Sequence, residues 1–311
     1  MRRKFDLFYD IPAWNKVFFA FFITLSCFLI FFFIALLLAV PVFNLSYAEA
    51  KQYIVSGPDL NNVIIAKFFQ IFQSVGVFII PPFILAFIFY GNVWEYLKLK
   101  NSPHISYIIL SVLSIVISVP VINFMSYLNS NLNFPEFMGI LEDKIIDMEN
   151  EAGNLMESFL DTITLKGFIT NIIMICILPA IGEELLFRGI FQRLFIEWTK
   201  NVHIGILIGA FLFSFIHMQF FGFLPRLLLG IYFGYLFVWS RTIWLPVIVH
   251  FFNNAFAVVY YYISGNNIGK SEIENLGTSE GDFIFLGLSI FLSFTLVYII
   301  YLITKSRASG R

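Results

Sequence analysis

Long apolar runs, not short alternations, organise this chain. Residues 17–43, 63–90, 105–128, 166–190, 203–220, 223–241, 243–263 and 283–304 each form one. Hydrocarbon offers no water to satisfy backbone N–H and C=O groups, and a helix needs about 20 mostly apolar residues to cross it. The pattern predicts an all-α polytopic bundle of about eight transmembrane helices. Pro81 and Pro82 predict a kink or break in the second run, since neither has an N–H for the helix ladder. The fourth run meets no breaker between Gly189 and Thr199, which predicts one long helix to about Trp198. Between runs lies an acidic stretch, 129–165, whose interspersed Ile145, Ile146, Leu155 and Phe159 predict short surface helices. The connection at 264–282 is rich in Gly, Asn and Ser and reads as a mobile loop. Gly205-x-x-x-Gly209 and Gly230-x-x-x-Gly234 predict close helix packing.

Composition agrees with a lipid environment. Of 311 residues, 59% are hydrophobic and 13% charged, against about 25% charged in soluble domains. With a net charge of −1 and no basic domain, nucleic acid is not an expected partner; the lipid bilayer is. The first run is too long for a signal-peptide core and reads as a retained span. Cys27 and Cys176 lie in apolar runs and suggest no disulfide framework. Placing the N-terminus in the cytoplasm puts Arg2, Arg3, Lys4, Lys16, Lys98, Lys100, Arg193, Lys200, Arg241, Lys305, Arg307 and Arg311 inside. Only Lys51, Lys67, Lys144, Lys166, Arg226 and Lys270 then fall outside. This asymmetry, with all five tryptophans near the inner boundary, predicts cytoplasmic termini in a multi-pass protein of the cell membrane.

Polar residues inside the spans gather in the C-terminal half. They are Glu183, Glu184 and Arg188 in the fourth run, His217 in the fifth, and His250 with Asn253 and Asn254 in the seventh. A charge at the bilayer centre costs about 2.5–3.5 kcal/mol on insertion scales, so such residues mark function by default. Glu184 and Arg188 are spaced i,i+4 and fit an intrahelical ion pair. Glu183 is turned about 100° from Glu184. His250 and Asn254 also share a face. His104 and His203 sit near span ends and read as hydrogen-bonded structural groups. Ser214 reads as a backbone bonder, because no base is spaced to activate it. Glu183, His217 and His250 could hold one divalent metal, zinc by donor type, which would activate water. Without a metal, a buried glutamate could act as base on water while Asn254 and a histidine donate to an oxyanion. Both routes hydrolyse an acyl bond, and the expected substrate is a protein or peptide.

Glu183-Glu184-x-x-x-Arg188, Phe213-x-x-x-His217 and His250-x-x-x-Asn254, in that order, resemble the CPBP (Abi) family. That family contains CAAX-processing endopeptidases and bacteriocin-processing or lysostaphin-resistance-like membrane proteases. The resemblance implies a catalytic core at 166–263. A scaffold with the acidic loop (1–165) would precede it, and a loop, last span and basic tail (264–311) would follow. It implies that Glu183 acts on the water, His217 and His250 bind metal or position the water, and Asn254 assists at the oxyanion. Glu184 and Arg188 complete the first motif, and the family includes both metal and glutamate-only descriptions. Other function classes are a proton-coupled transporter, for which no inverted repeat is visible, and an inactive scaffold of the same fold.

Overall fold

The structure, a computed structural model, describes residues 11–56, 62–132, 135, 137, 139–264 and 276–309. Arg2, Arg3, Lys4, Lys270, Arg311 and most of the 264–282 loop lie outside the described residues. Helix α1 is Ala13–Phe43, α2 Tyr47–Ser56 and α3 Val63–Tyr90. Next come α4 (Ile105–Ile117), α5 (Val119–Ser130), α6 (Gly139–Leu160) and α7 (Leu165–Thr199). The chain closes with α8 (Val202–Phe215), α9 (Phe223–Ser240), α10 (Trp244–Ser264) and α11 (Phe283–Ser309). No strand occurs among the described residues, and the fold is an all-α polytopic bundle.

All eight apolar runs are helical, but they are not eight equal spans. Six helices are long and apolar enough to cross a membrane, and α4 with α5, bent by 46°, makes a seventh if the pair is one span. Helix α8 has 14 residues, about 21 Å at 1.5 Å per residue, which is short of a hydrocarbon core of about 30 Å. It stops because the chain turns after Phe215, with Met218 in the left-handed region at φ 52°. The acidic stretch also departs from the expected short helices. It forms one 22-residue helix, α6, because its Glu, Met, Leu and Lys residues favour helix and no proline interrupts them.

The prolines leave local irregularities rather than breaks. Pro81 and Pro82 follow a π-helical turn, Val75–Ile79, within an otherwise continuous α3. Pro179 follows a π turn at Ile172–Ile177 in α7, and Pro120 follows the bend at Ser118. A π turn widens the ladder and absorbs the missing N–H without ending the helix. Helix α7 runs on to Thr199 as its breaker-free sequence predicts.

The core sits around α7. Residues 182–192 are buried on every side, as expected of a central helix. Leu185, Leu186, Phe187, Ile190 and Phe191 join Leu85, Ala86 and Phe213 in the largest apolar cluster. Glycines bring the partners close. A methyl group on Gly230 would lie 3.0 Å from the Ala210 Cβ, and one on Gly234 would lie 2.8 Å from Gln192 Oε1. The two small-residue motifs thus seat α8 between α7 and α9.

Contacts define the two ends of the bundle. Lys16 at the start of α1 pairs with Glu197 near the end of α7 at 2.7 Å. Trp239, near the end of α9, packs on Tyr301 of α11, and Trp244 Nε1 donates to the Leu99 carbonyl. One end therefore gathers the start of α1 and the end of α11 with the tryptophans. The opposite end holds the C-terminus of α8, the N-terminus of α9 and helix α6.

Candidate active site

The central carboxylate pair divides as its helical rotation requires. Glu184 has no exposed surface. Its Oε1 accepts a 2.9 Å bond from Arg188 Nη1 and another of 2.9 Å from His250 Nδ1. Arg188 Nη2 donates to the Gly230 carbonyl at 3.1 Å. The guanidinium lies 4.5 Å over the Phe213 ring and 5.4 Å from that of Phe233. The expected i,i+4 pair is present, and it extends to a residue that sequence spacing did not join to it. His250 is tied to Glu184, not Glu183. With Nδ1–H committed to a carboxylate, the network assigns the tautomer whose Nε2 is free.

Glu183 points elsewhere. Its Oε2 stands 3.9 Å from His250 Nε2, outside direct hydrogen-bond reach. Together with His217, His250 and Asn254 it lines one cavity of about 440 Å³. The His250 ring is fixed by stacking on Phe233 at 5.1 Å and by the edge of Phe213 at 6.0 Å. Asn254 Nδ2 donates to the Ile175 carbonyl, 3.1 Å away within the α7 π turn, and its Oδ1 accepts from Asn253. An amide carries two N–H donors, so one Asn254 proton is left for the cavity. Asn253 lines the cavity too.

His217 is not on a helix, contrary to the sequence expectation. It stands just beyond α8, and its Nδ1 bonds the Phe213 carbonyl at 2.8 Å. The imidazole thereby satisfies one of the carbonyls that a helix C-terminus leaves without a partner, and its Nε2 is free. The loop carrying it is pinned from several sides. Asn129 of α5 donates to the Phe220 carbonyl at 2.6 Å and accepts from Leu224 N at 3.0 Å. Glu149 of α6 accepts from Phe221 N at 2.7 Å, and Ser214 donates to the Phe223 carbonyl at 2.7 Å. Sequence reasoning missed Asn129 and Glu149, because nothing local links them to residues 72 to 95 positions away. Ser214 is the backbone bonder expected, though across a loop. His104 caps α4, and His203 bonds Tyr235.

Helix α6 lies across the cavity. Met156, Phe159 and Leu160 contribute to its wall, and a smaller recess beside it joins Leu155 to His217. The C-terminus of α6 is held by Lys67, whose Nζ donates to the Phe159 carbonyl at 2.8 Å and to Asn171 Oδ1 at 2.9 Å. Gln70, Gln219 and Arg226 complete the polar lining.

The donor types in this cavity would suit a divalent cation. Among the described residues, however, no three His, Cys, Asp or Glu side chains are grouped to hold one. Glu184 orients the His250 ring with its Nε2 3.9 Å from Glu183 Oε2, and His217 Nδ1 is bonded to its own helix end.

Residues 165–256 match the family described as type II CAAX prenyl endopeptidase, Rce1-like. The match runs from the start of α7 to the middle of α10 and contains all three motifs. No curated protein and no solved structure matches the chain. With six to seven candidate spans, the chain is an integral membrane protein that carries, at residues 165–256, a region similar to the Rce1-like type II CAAX prenyl endopeptidases.

Proposed function

We propose that the protein is an intramembrane endopeptidase in which Glu183 activates a water to cleave a peptide bond of a membrane-associated, CAAX-type protein or peptide. The observation carrying this reading is the single cavity that gathers Glu183, His217, His250 and Asn254 above the buried Glu184–Arg188–His250 network. Glu183 takes a proton from water as the oxygen attacks the scissile carbonyl. The water's second O–H donates to a histidine Nε2, that of His250 or of His217, which orients it. The free Asn254 N–H donates to the oxyanion, and Glu183 returns its proton to the leaving amine. No step is routed through a metal.

A groove of about 430 Å³ between α10 and the bent α4–α5 pair is lined by Val112, Ile115, Phe256 and Val259 and shares Asn253 with the cavity. It supports a substrate with an apolar, lipid-anchored segment. The sequence charge asymmetry supports cytoplasmic termini, which would place the cavity end of the bundle on the outer side.

The test is Glu183→Gln purified in detergent. General-base loss lowers turnover by about 100- to 10,000-fold, with thermal unfolding unchanged. Cleavage at the parent rate would refute the assignment. A chelator arm, with zinc added back, decides whether a divalent metal takes part: loss and recovery on zinc would replace the glutamate-only mechanism.

A further inference from the structure

Arg226 has no role in the chemistry above, yet it is the one Lys or Arg among the residues lining the catalytic cavity. It sits in the first turn of α9. Its Nη1 donates to the Gln219 carbonyl at 3.1 Å and its Nη2 to Gln219 Oε1. The guanidinium lies flat against Gly222, where any side chain would collide with it. It enters none of the ion pairs among the described residues. A guanidinium has five donors in a rigid fork, and both of these bonds go to one residue. Glu149 and Glu183 offset part of its desolvation through Coulombic attraction, and its remaining N–H donors are available to a ligand in the cavity. The loop presenting it is the one Asn129, Glu149 and Ser214 hold in place, so the fork is preorganised. The other full charge lining the cavity is Glu183. An anionic group would therefore be repelled near Glu183 and drawn to Arg226, which fixes the direction of a bound chain.

We propose that Arg226, held by Gln219, is a specificity residue that binds a carboxylate of the substrate away from the scissile bond. This rests on the peptidase reading. The carboxylate can come from a free C-terminus or from an acidic side chain beyond the cleaved bond, and the same fork fits both.

The experiment compares kcat/KM for three versions of one membrane-anchored peptide: free C-terminal acid, C-terminal amide, and amide with one downstream Gln changed to Glu. A charge-assisted bond predicts preference for a carboxylate-bearing peptide of about 10-fold or more. Preference for the free acid assigns the C-terminus, and preference for the Glu peptide assigns the side chain. In Arg226→Gln the ratio of the preferred carboxylate peptide to the plain amide falls toward one because hydrolysis of the carboxylate peptide falls. Arg226→Lys recovers part of the ratio. If Arg226→Gln unfolds, Gln219→Ala, which frees the guanidinium, should lower the same ratio. Equal cleavage of all three peptides by the parent, or an unchanged ratio in both Arg226→Gln and Gln219→Ala, overturns the proposal. Neither result depends on Glu183→Gln, whose residual activity judges the peptidase reading separately.

Discussion

Glu184 shares one oxygen between Arg188 and His250 with no solvent in contact. Neutralising it strands a buried guanidinium. Breaking one partner of a buried pair costs about 3–5 kcal/mol, whereas replacing both by apolar groups is often close to neutral. Glu184→Gln should therefore lower the unfolding midpoint in detergent far more than Glu183→Gln. The double variant Glu184→Leu/Arg188→Met should recover much of the loss while remaining inactive, because His250 Nδ1 loses the carboxylate that sets its tautomer. Equal midpoints for the two single variants would contradict this division. The i,i+4 spacing of Glu184 and Arg188 was legible in the chain. The bond from His250 was not, because it joins residues 66 positions apart and depends on how α10 crosses α7.

At the level of elements, small residues and prolines set where backbone groups can be reached. Gly234 presents its carbonyl to Gln192 Nε2 at 3.2 Å, and a Cβ there would collide with Gln192 and Ile206. Gly234→Val should destabilise the protein by about 1–3 kcal/mol through overpacking, read as a lower thermal midpoint. Gly153 in α6 is the opposite case, since nothing lies within 4 Å of where its Cβ would be. Gly153→Ala should strengthen α6 by up to about 1 kcal/mol, seen as slower amide exchange over 139–160. The sequence expectation of close packing at the two small-residue motifs matches the contacts. The expectation of a helical His217 fails because apolar content cannot reveal where a helix end is pinned by Asn129 and Glu149.

For the whole molecule, the cavity lies at the end opposite the basic residues and tryptophans, covered by α6. Lys67 ties the C-terminus of α6 to the bundle. Lys67→Met should release that end and raise the rate of limited proteolysis within 139–160, and an unchanged digestion pattern would show that apolar packing alone holds it. Because Cys27 and Cys176 are buried, single cysteines at Asn154 and Lys200 can report sidedness in intact cells. The expected result is labelling of Asn154→Cys by an impermeant reagent and protection of Lys200→Cys. The reverse result would invert the orientation drawn from the basic residues.

The chain alone determined that this is an all-α membrane bundle, because apolar run length is a local property matched to bilayer thickness. It also determined which half gathers the intramembrane charged groups, because charges in lipid are too costly to be scattered. Tertiary structure decided that α8 is too short to span and that Glu184 orients His250 while Glu183 faces the cavity. It also placed Arg226 beside them. Those outcomes depend on where helices end and cross, which is fixed by contacts between residues far apart in the chain.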